Sequence, residues 1–519
     1  MPTHGEKLAE SLQILRELQE SKGFGAIKAS EISRVHRERL SKSGFLQAVS
    51  RGWYIAINPA EQQGDSTSWY TTYWQFCSRF LKNKYGDKYC ISAEQSLLIH
   101  AGDHSIPHQL VVRAIHATNS TVELLHGTSL YLLKSPLPNT ANITVLNGIR
   151  ILTLTSALVN CSPIMFDRSP VAMRTALAQI NDASEILKPL LEGSHSHIAG
   201  RLAGAFRNIG QERIADEIVK TMKAAGFVIR ETDPFQNQSP VHLSIRQRTP
   251  YVNRIKLMWE EMREVVIQHF PQAPGISDDP AAYLRSVDEL YVTDAYHSLS
   301  IERYVVSAHL IEKVRSGDWD TSVNDEDRKQ RDAMAARGYW QAAQMVMGSI
   351  DEILLGAQPG NAIYTDHGEW YRELFAPSVN IGLLKASDLA GYRSGQVYIS
   401  QSKHVPPDSD ALRDAMEVLF ELLVSELNPG VRAVLGHFFF VYIHPYMDGN
   451  GRMGRFLMNV MLSSGGYPWT VIPVEERDAY MASLESASVD GDIEPFAKFI
   501  SYLVWESMRG NPVAQLENI

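Results

Sequence analysis

Cysteine is scarce in this chain: there are three in 519 residues, Cys77, Cys90 and Cys161, odd in number and not in metal-ligand spacing. That argues against a disulfide framework and a thiolate zinc site, and fits buried thiols in a reducing compartment. Long apolar runs are missing as well. The most apolar stretch, Phe438 to Ile443, is far short of the ~20 residues that span a bilayer. The polar stretch Met1 to Leu12 lacks the basic-then-apolar pattern of a secretory signal. There is no basic excess either. A net charge of −10 argues against a surface coated for nucleic acid along its whole length, while allowing one basic face on one domain. The expectation is a cytoplasmic protein with no membrane partner.

What is present is the material of folded domains. The chain is 44% hydrophobic and 21% charged, with 9 Trp and 21 Tyr, enough to bury large cores and to argue against extensive disorder. Its length implies roughly two to four domains. Leu8, Leu12, Leu15 and Leu18 recur at helical spacing; Ala29–Ile32 and Val35–Ser43 read as two more helices. Phe45–Val49 and Trp53–Ala56 then flank a turn at Ser50-Arg51-Gly52. Helices closed by a small hairpin describe a winged helix-turn-helix over residues 1–59. A mixed α/β region follows over 60–230, with strands expected at Leu110–Ile115 and Ile143–Leu146. Residues 231–250 carry Pro234, Pro240 and Pro250 among Gln, Asn and Ser, a linker composition. From 251 to 519 the pattern is helical, apart from an acidic loop at Ser316–Asp327 and a hairpin at Gln396–Val405. The fold class expected is therefore multidomain: winged helix-turn-helix, α/β middle region, mainly α-helical C-terminal half with a β-hairpin.

One segment concentrates chemistry: His444-Pro445-Tyr446-Met447-Asp448-Gly449-Asn450-Gly451-Arg452-Met453-Gly454-Arg455. The apolar run before it should be a buried helix, Pro445 should break that helix, and Met453–Leu462 should resume helix. Gly449 and Gly451 permit backbone conformations that other residues avoid. Successive N–H groups and the positive end of the second helix then converge on one point that attracts phosphate. Arg452 and Arg455 lie where a helix dipole disfavours cations, which points to an anionic ligand. Asp448 is a hard oxygen donor suited to Mg²⁺ beside phosphates. His444 can take a proton near neutral pH.

This string resembles the motif of the Fic family, His-x-Phe-x-Asp/Glu-Gly-Asn-Gly-Arg-x-x-Arg. The likeness runs from about Tyr251 to Ser507, with the core at about 360–507, and Arg477-Asp478-Ala479-Tyr480 also looks like the family. Tyr446 stands where the family usually has Phe. The Gly-Asn-Gly-Arg form is similar to the AMP-transferring members rather than the phosphotransferase relatives. The resemblance implies a protein adenylyltransferase using ATP and Mg²⁺ on a target protein of unstated identity. His444 would deprotonate a Tyr, Ser or Thr hydroxyl, and Asp448 would hold Mg²⁺. Gly449, Asn450 and Gly451 would cradle the phosphates, with Arg452 and Arg455 on their outer oxygens.

Two further segments take meaning from that resemblance. Asp294–His309 reads as a helix containing Ser298-Leu299-Ser300-Ile301-Glu302, similar to the Ser/Thr-x-x-x-Glu inhibitory helix of Fic proteins. Ser298 and Glu302 are one turn apart, and the implied pair is Glu302 with Arg455. In some relatives this glutamate also aids removal of AMP. The family usually has Gly or Asn after the glutamate, and this chain has Arg303. The stretch Gly391–Ile399 leading to Lys403–Pro407 looks like the Fic flap, in which Val397, Tyr398 and Ile399 would pair with the target backbone.

Between Lys28 and Arg51 the chain carries Lys28, Arg34, Arg37, Arg39, Lys42 and Arg51 against Glu31 and Glu38. Arg34, Arg37, Arg39 and Lys42 would face DNA from a recognition helix. The winged helix and the α/β region resemble AbiEi-type antitoxins, which implies DNA as a partner. The alternative to an enzyme is thus a DNA-binding regulator whose Fic half senses nucleotide. The sequence leaves a homo-oligomer open.

Overall fold

Leu8, Leu12, Leu15 and Leu18 line one side of α1 (His4–Lys22) and pack with Ile27, Ile32, Leu40 and Leu46 into a small cluster. The computed structural model describes residues 3–22, 25–59, 65–235, 239–241, 243, 249–276, 278–317 and 327–516. The chain divides into two units, Met1–Arg254 with Tyr398–Val405, and Ile255–Val397 with Pro406–Ile519. The acidic loop expected at Ser316–Asp327 lies largely outside the described residues.

In the first unit, Ser33 caps α2 (Arg34–Lys42) through its side-chain oxygen. Strands β1 (Ala26–Lys28), β2 (Leu46–Ser50) and β3 (Trp53–Ala56) form an antiparallel sheet in the order β1-β3-β2. Trp53 is buried. Its ring lies edge-on to Phe76, 5.9 Å away, on α3 (Thr67–Tyr85). A second sheet, order β4-β5-β7-β6, comprises β4 (Tyr89–Ile91), β5 (Gln109–Ala114), β6 (Ser120–Glu123) and β7 (Ser129–Lys134). Its β5 and β7 are parallel and its other pairs antiparallel. Helix α4 (Ala93–His100) follows β4. The hairpin of β8 (Ile143–Leu146) and β9 (Ile149–Leu152) turns at Asn147-Gly148, both with positive φ. Asn-Gly favours that tight turn because both central residues must be left-handed.

Helices α5 (Leu154–Asn160), α6 (Met165–Arg168), α7 (Pro170–Leu177), α8 (Ala183–Glu192), α9 (Ser196–Asn208) and α10 (Glu212–Ala224) share one apolar core that includes Met173, Ile186, Leu202, Phe206 and Ile218. The start of the proline-bearing stretch does not run free, as a linker would. Thr232 N donates to Gly200 O at 3.2 Å, and Phe235 is buried. A Cβ on Gly200 or Gly204 would stand 2.0 Å from Arg230 O or 2.1 Å from Thr232 O, so only glycine admits this approach.

The second unit is helical: most of α11 (Pro250–His269), then α12 (Pro280–Ile301), α13 (Ala308–Ser316), α14 (Asp327–Leu354), α15 (Pro359–Asn380), α16 (Ser409–Ser425), α17 (Pro429–Ile443), α18 (Asn450–Ser463), α19 (Arg477–Glu485) and α20 (Glu494–Met508). Gly430 to Ile443 are all buried, so α17 is apolar on every face because it is the centre of the bundle. Each of its buried Phe438, Phe439 and Phe440 contributes roughly 1.5–3 kcal/mol. No helix among the described residues is long and apolar enough to cross a membrane.

Candidate active site

Asn428 starts α17, accepting from Gly430 N at 2.9 Å and Val431 N at 3.1 Å, with Pro429 as its first residue. The helix ends at His444, which is left-handed (φ 55, ψ 61) and donates its backbone N–H to Phe440 O at 3.0 Å. Pro445 cannot continue the ladder. His444 Nδ1 lies 3.1 Å from Val441 O. A carbonyl only accepts, so the proton sits on Nδ1 and the Nε2 lone pair is free. Burial holds the imidazole pKa down, at about 4, against the opposing pull of the Val441 carbonyl, Glu302 and Asp448. The ring is therefore neutral at physiological pH.

The loop after it is stapled by one side chain. Asn450 Oδ1 accepts from Tyr446 N at 2.9 Å, and Asn450 Nδ2 donates to Tyr446 O at 2.8 Å. Tyr446 stacks face to face on Tyr371, with centroids 3.7 Å apart. Asn450 opens α18 behind the left-handed Gly449 (φ 80), where a Cβ would stand 2.7 Å from the Phe375 ring. A Cβ on Gly451 would stand 2.2 Å from Glu302 Oε1. Helix α18 thus begins three residues earlier than the Met453 start expected from the sequence.

Arg452 and Arg455, one turn apart, are both buried. Arg452 lies between the rings of Tyr304 and Phe375, 5.1 and 5.0 Å from their centroids, and its Nη2 is 3.6 Å from Asp448 Oδ1. Its Nε has no hydrogen-bond partner. Arg455 donates from Nε to Ser298 Oγ at 2.8 Å, and from Nη2 to Ser298 O at 3.0 Å and Glu302 Oε1 at 2.8 Å, while its Nη1 has no partner. Burial pushes the Glu302 carboxyl up, but Arg455 and Arg452 more than offset it and hold it below the usual carboxylate range. A cavity of about 160 Å³ opens beside these groups, lined by Tyr304, Arg331, Phe375, Asp448 and Arg452 among others. Buried arginine N–H groups without partners are costly, and anionic oxygens are what they fit.

Residues 364–462 match the Fic/DOC family. That Fic/DOC stretch holds every residue from His444 to Arg455, while Ser298 and Glu302 lie upstream of it. A curated relative, "Protein adenylyltransferase Fic" of Nematostella vectensis, is 28% identical over 264 residues, 50% of this chain and 57% of its own. One of the same name from Drosophila mojavensis is 41% identical over 263 residues, 50% of this chain and 48% of its own. The chain thus spans about half the length of these curated relatives. Among solved structures, "Fic-1 (aa134 - 508) from C. elegans" is 18% identical and covers 67% of this chain and 97% of that one, with a TM-score of 0.37.

Other expected site residues fare differently. The helix expected over Asp294–His309 does not run that far: α12 stops at Ile301, and Glu302 is its cap. The hairpin expected at Gln396–Val405 does not form, since no strand occurs among the described residues of the second half, and Val397, Tyr398 and Ile399 lie in irregular backbone. Tyr398–Val405 belongs to the first unit, where Ile106 N donates to Lys403 O at 2.9 Å and Gln401 N to Thr67 Oγ1 at 3.1 Å. Of the basic residues on α2, Arg39 is committed internally, to Lys7 O at 2.5 Å and Ser11 Oγ at 2.7 Å, and Arg37 donates to Ala29 O at 2.9 Å. Arg34 pairs with Glu38 on the exposed face, and Lys42 is exposed.

Sequence reasoning missed Asp294, Tyr304 and Arg393. Asp294 precedes Ser298 and Glu302 by one and two turns, a spacing that could have shown it. It is buried, accepts from Tyr339 Oη at 2.6 Å, and burial pushes its pKa up to about 6.

Proposed function

We propose that the chain transfers AMP from ATP to a Tyr, Ser or Thr hydroxyl of a target protein and that Glu302 restrains it. The carrying observation is the juxtaposition of a neutral imidazole, its Nε2 free, with two buried arginines, the second held by Glu302. The target oxygen attacks the α-phosphorus, its proton passes to His444 Nε2, and the bond to the β-phosphate oxygen breaks to release pyrophosphate. The N-terminus of α18 and the arginines bind and orient the phosphates. Glu302 competes for Arg455, so the outer phosphates lose that anchor until the pair opens.

Among the described residues no cluster of three or more His, Cys, Asp or Glu could hold a metal alone. Asp448 with nucleotide oxygens and water is nevertheless the ordinary donor set for Mg²⁺ beside phosphates. When bound, Mg²⁺ would neutralise charge on the α- and β-phosphates. Loss of AMP from a modified target remains a further activity of the same site to test. Residues 396–405 are proposed to meet the target backbone in extended form.

A second reading has its own support. Residues 1–59 combine α1, α2 and a three-stranded sheet, with Lys42 and Arg34 on the solvent side of α2. We infer a winged helix-turn-helix there, followed by an AbiEi-like region over 60–230, with promoter DNA as partner in the cytoplasm.

The deciding experiment is transfer of label from α-³²P-ATP to protein by the wild type, Glu302→Gly, His444→Ala and the double variant. Strong labelling by Glu302→Gly, weak by the wild type and none by the double variant supports the restrained transferase. Label arriving from γ-³²P-ATP would replace it with phosphoryl transfer. No labelling by any variant that still binds ATP would leave the regulator.

A further inference from the structure

His444 closes α17 in a left-handed conformation without being glycine, and Pro445 follows it. The last carbonyls of a helix lack partners of their own, and here a side chain 51 positions upstream supplies them. Arg393 Nε donates to His444 O at 2.8 Å, and its Nη2 reaches Ile443 O at 3.4 Å. Its backbone N donates to Pro445 O at 2.9 Å. The same guanidinium donates from Nη1 to Gly395 O at 2.8 Å and from Nη2 to Pro407 O. Arg393 is 4% exposed. One planar fork therefore spans the carbonyls on both sides of the His444 α-carbon and the two ends of the 396–406 excursion.

We propose that Arg393 is a positioning residue that holds the His444 peptide left-handed, so that Nδ1 stays on Val441 O and Nε2 faces the acceptor hydroxyl. This rests on the AMP-transfer reading, in which His444 is the base. Lysine cannot replace the fork: it keeps a positive charge but is a point donor rather than a planar one. Charge and geometry are thus separable. The charged groups facing the imidazole are Arg393, Glu302 from the end of α12 and Asp448 from the loop. Arg393 disfavours a proton on the ring, whereas the two carboxylates favour one.

The test uses the full chain carrying Glu302→Gly, with Arg393→Lys or Arg393→Gln added. Both should lower kcat by ~10- to 100-fold and leave KM for ATP within about twofold, because the Arg393 fork binds the carbonyls of His444, Ile443, Gly395 and Pro407. Arg393→Gln alone should also move the acid limb of the pH profile upward, since a cation beside the ring is gone. The imidazole ¹⁵N resonances of His444, identified by their loss in His444→Ala, should report the Nδ1–H tautomer in the parent and a tautomer mixture in both variants. The kcat of the Glu302→Gly parent retained in either variant, or a loss carried wholly by KM, overturns the proposal. Should Arg393→Gln not fold, Arg393→Lys decides by the same readouts. If the parent transfers no AMP, the AMP-transfer reading fails. The ¹⁵N tautomer then judges Arg393 by itself, and an unchanged tautomer in both variants overturns it.

Discussion

At the scale of single residues, protonation state separates what a residue type allows from what its surroundings make it do. Histidine suits a base because its ordinary pKa lies near neutrality, yet burial takes His444 to about 4. In the proposed transfer its activity as a base is lost only as pH falls through that value. Transfer by Glu302→Gly should stay level on the acid side down to about pH 5, and removing that carboxylate moves the limb lower still, since Glu302 favours the protonated ring. A kcat/KM profile with an acid midpoint near the ordinary ~6.5 would mean that water reaches the ring during turnover. The loop from His444 to Arg455 was legible because its chemistry is contiguous. Arg393 and Tyr304 were not, since one caps the helix from 51 positions away and the other flanks Arg452 only after α12 has turned back. For Arg37 and Arg39 the sequence hid internal partners: a basic residue on a helix reads as free, and the carbonyls and hydroxyl that accept from these two are visible only once the chain is folded.

At the scale of elements, the end of α12 carries the proposed restraint. Arg303 N donates to Ser300 O at 2.9 Å and Tyr304 N to Leu299 O at 3.1 Å, while Arg303 has φ 65. This is a Schellman termination with arginine in the left-handed position that glycine or asparagine favours. It explains why the helix stops short of His309 with no glycine or proline to announce the stop. Arg303→Gly should raise stability by about 1 kcal/mol, read as a higher urea midpoint with unchanged slope, and leave the restraint in place. One turn of sequence above Ser298, Asp294 has the reverse imbalance. Its folded pKa is raised to about 6, above the ordinary ~3.9, so the fold gains stability as pH falls from about 6 towards 4 and gives it up above. Asp294→Asn keeps an acceptor for Tyr339. It should raise stability at pH 8 by roughly 1–3 kcal/mol and flatten the change between about pH 6 and 4, as followed by thermal melting.

At the scale of the molecule, the helical second half and the strands β2, β3, β5 and β8 were legible from periodicity and turn residues, but β1, β4, β6, β7 and β9 and the division of the chain were not. Sequence order places the 396–405 stretch wholly in the C-terminal half, whereas contacts assign Tyr398–Val405 to the first unit. The same scale governs the basic helix. Arg39→Ala should lower the melting temperature of the first unit, because it removes the donor that ties α2 to Lys7 O and Ser11 Oγ of α1, while Lys42→Ala should leave it unchanged. If α2 meets DNA, Lys42→Ala should weaken binding and reduce the salt slope by about 1. Equal affinity and slope in Lys42→Ala and the parent would remove α2 from contact with the backbone phosphates.

The return of Tyr398–Val405 to the first unit also has a consequence during synthesis. Ribosomes add ~5–20 residues per second, and about 150 residues separate Arg254 from Val405. For roughly 8–30 s the nascent first unit therefore has every residue up to its boundary but not the segment whose Lys403 carbonyl receives Ile106 N–H. Over the same interval α12, α14 and α15 are made, and α17 and α18 are still to come. The first unit is completed only after translation has entered the Fic/DOC segment, so a chain stalled before Tyr398 leaves both units unfinished.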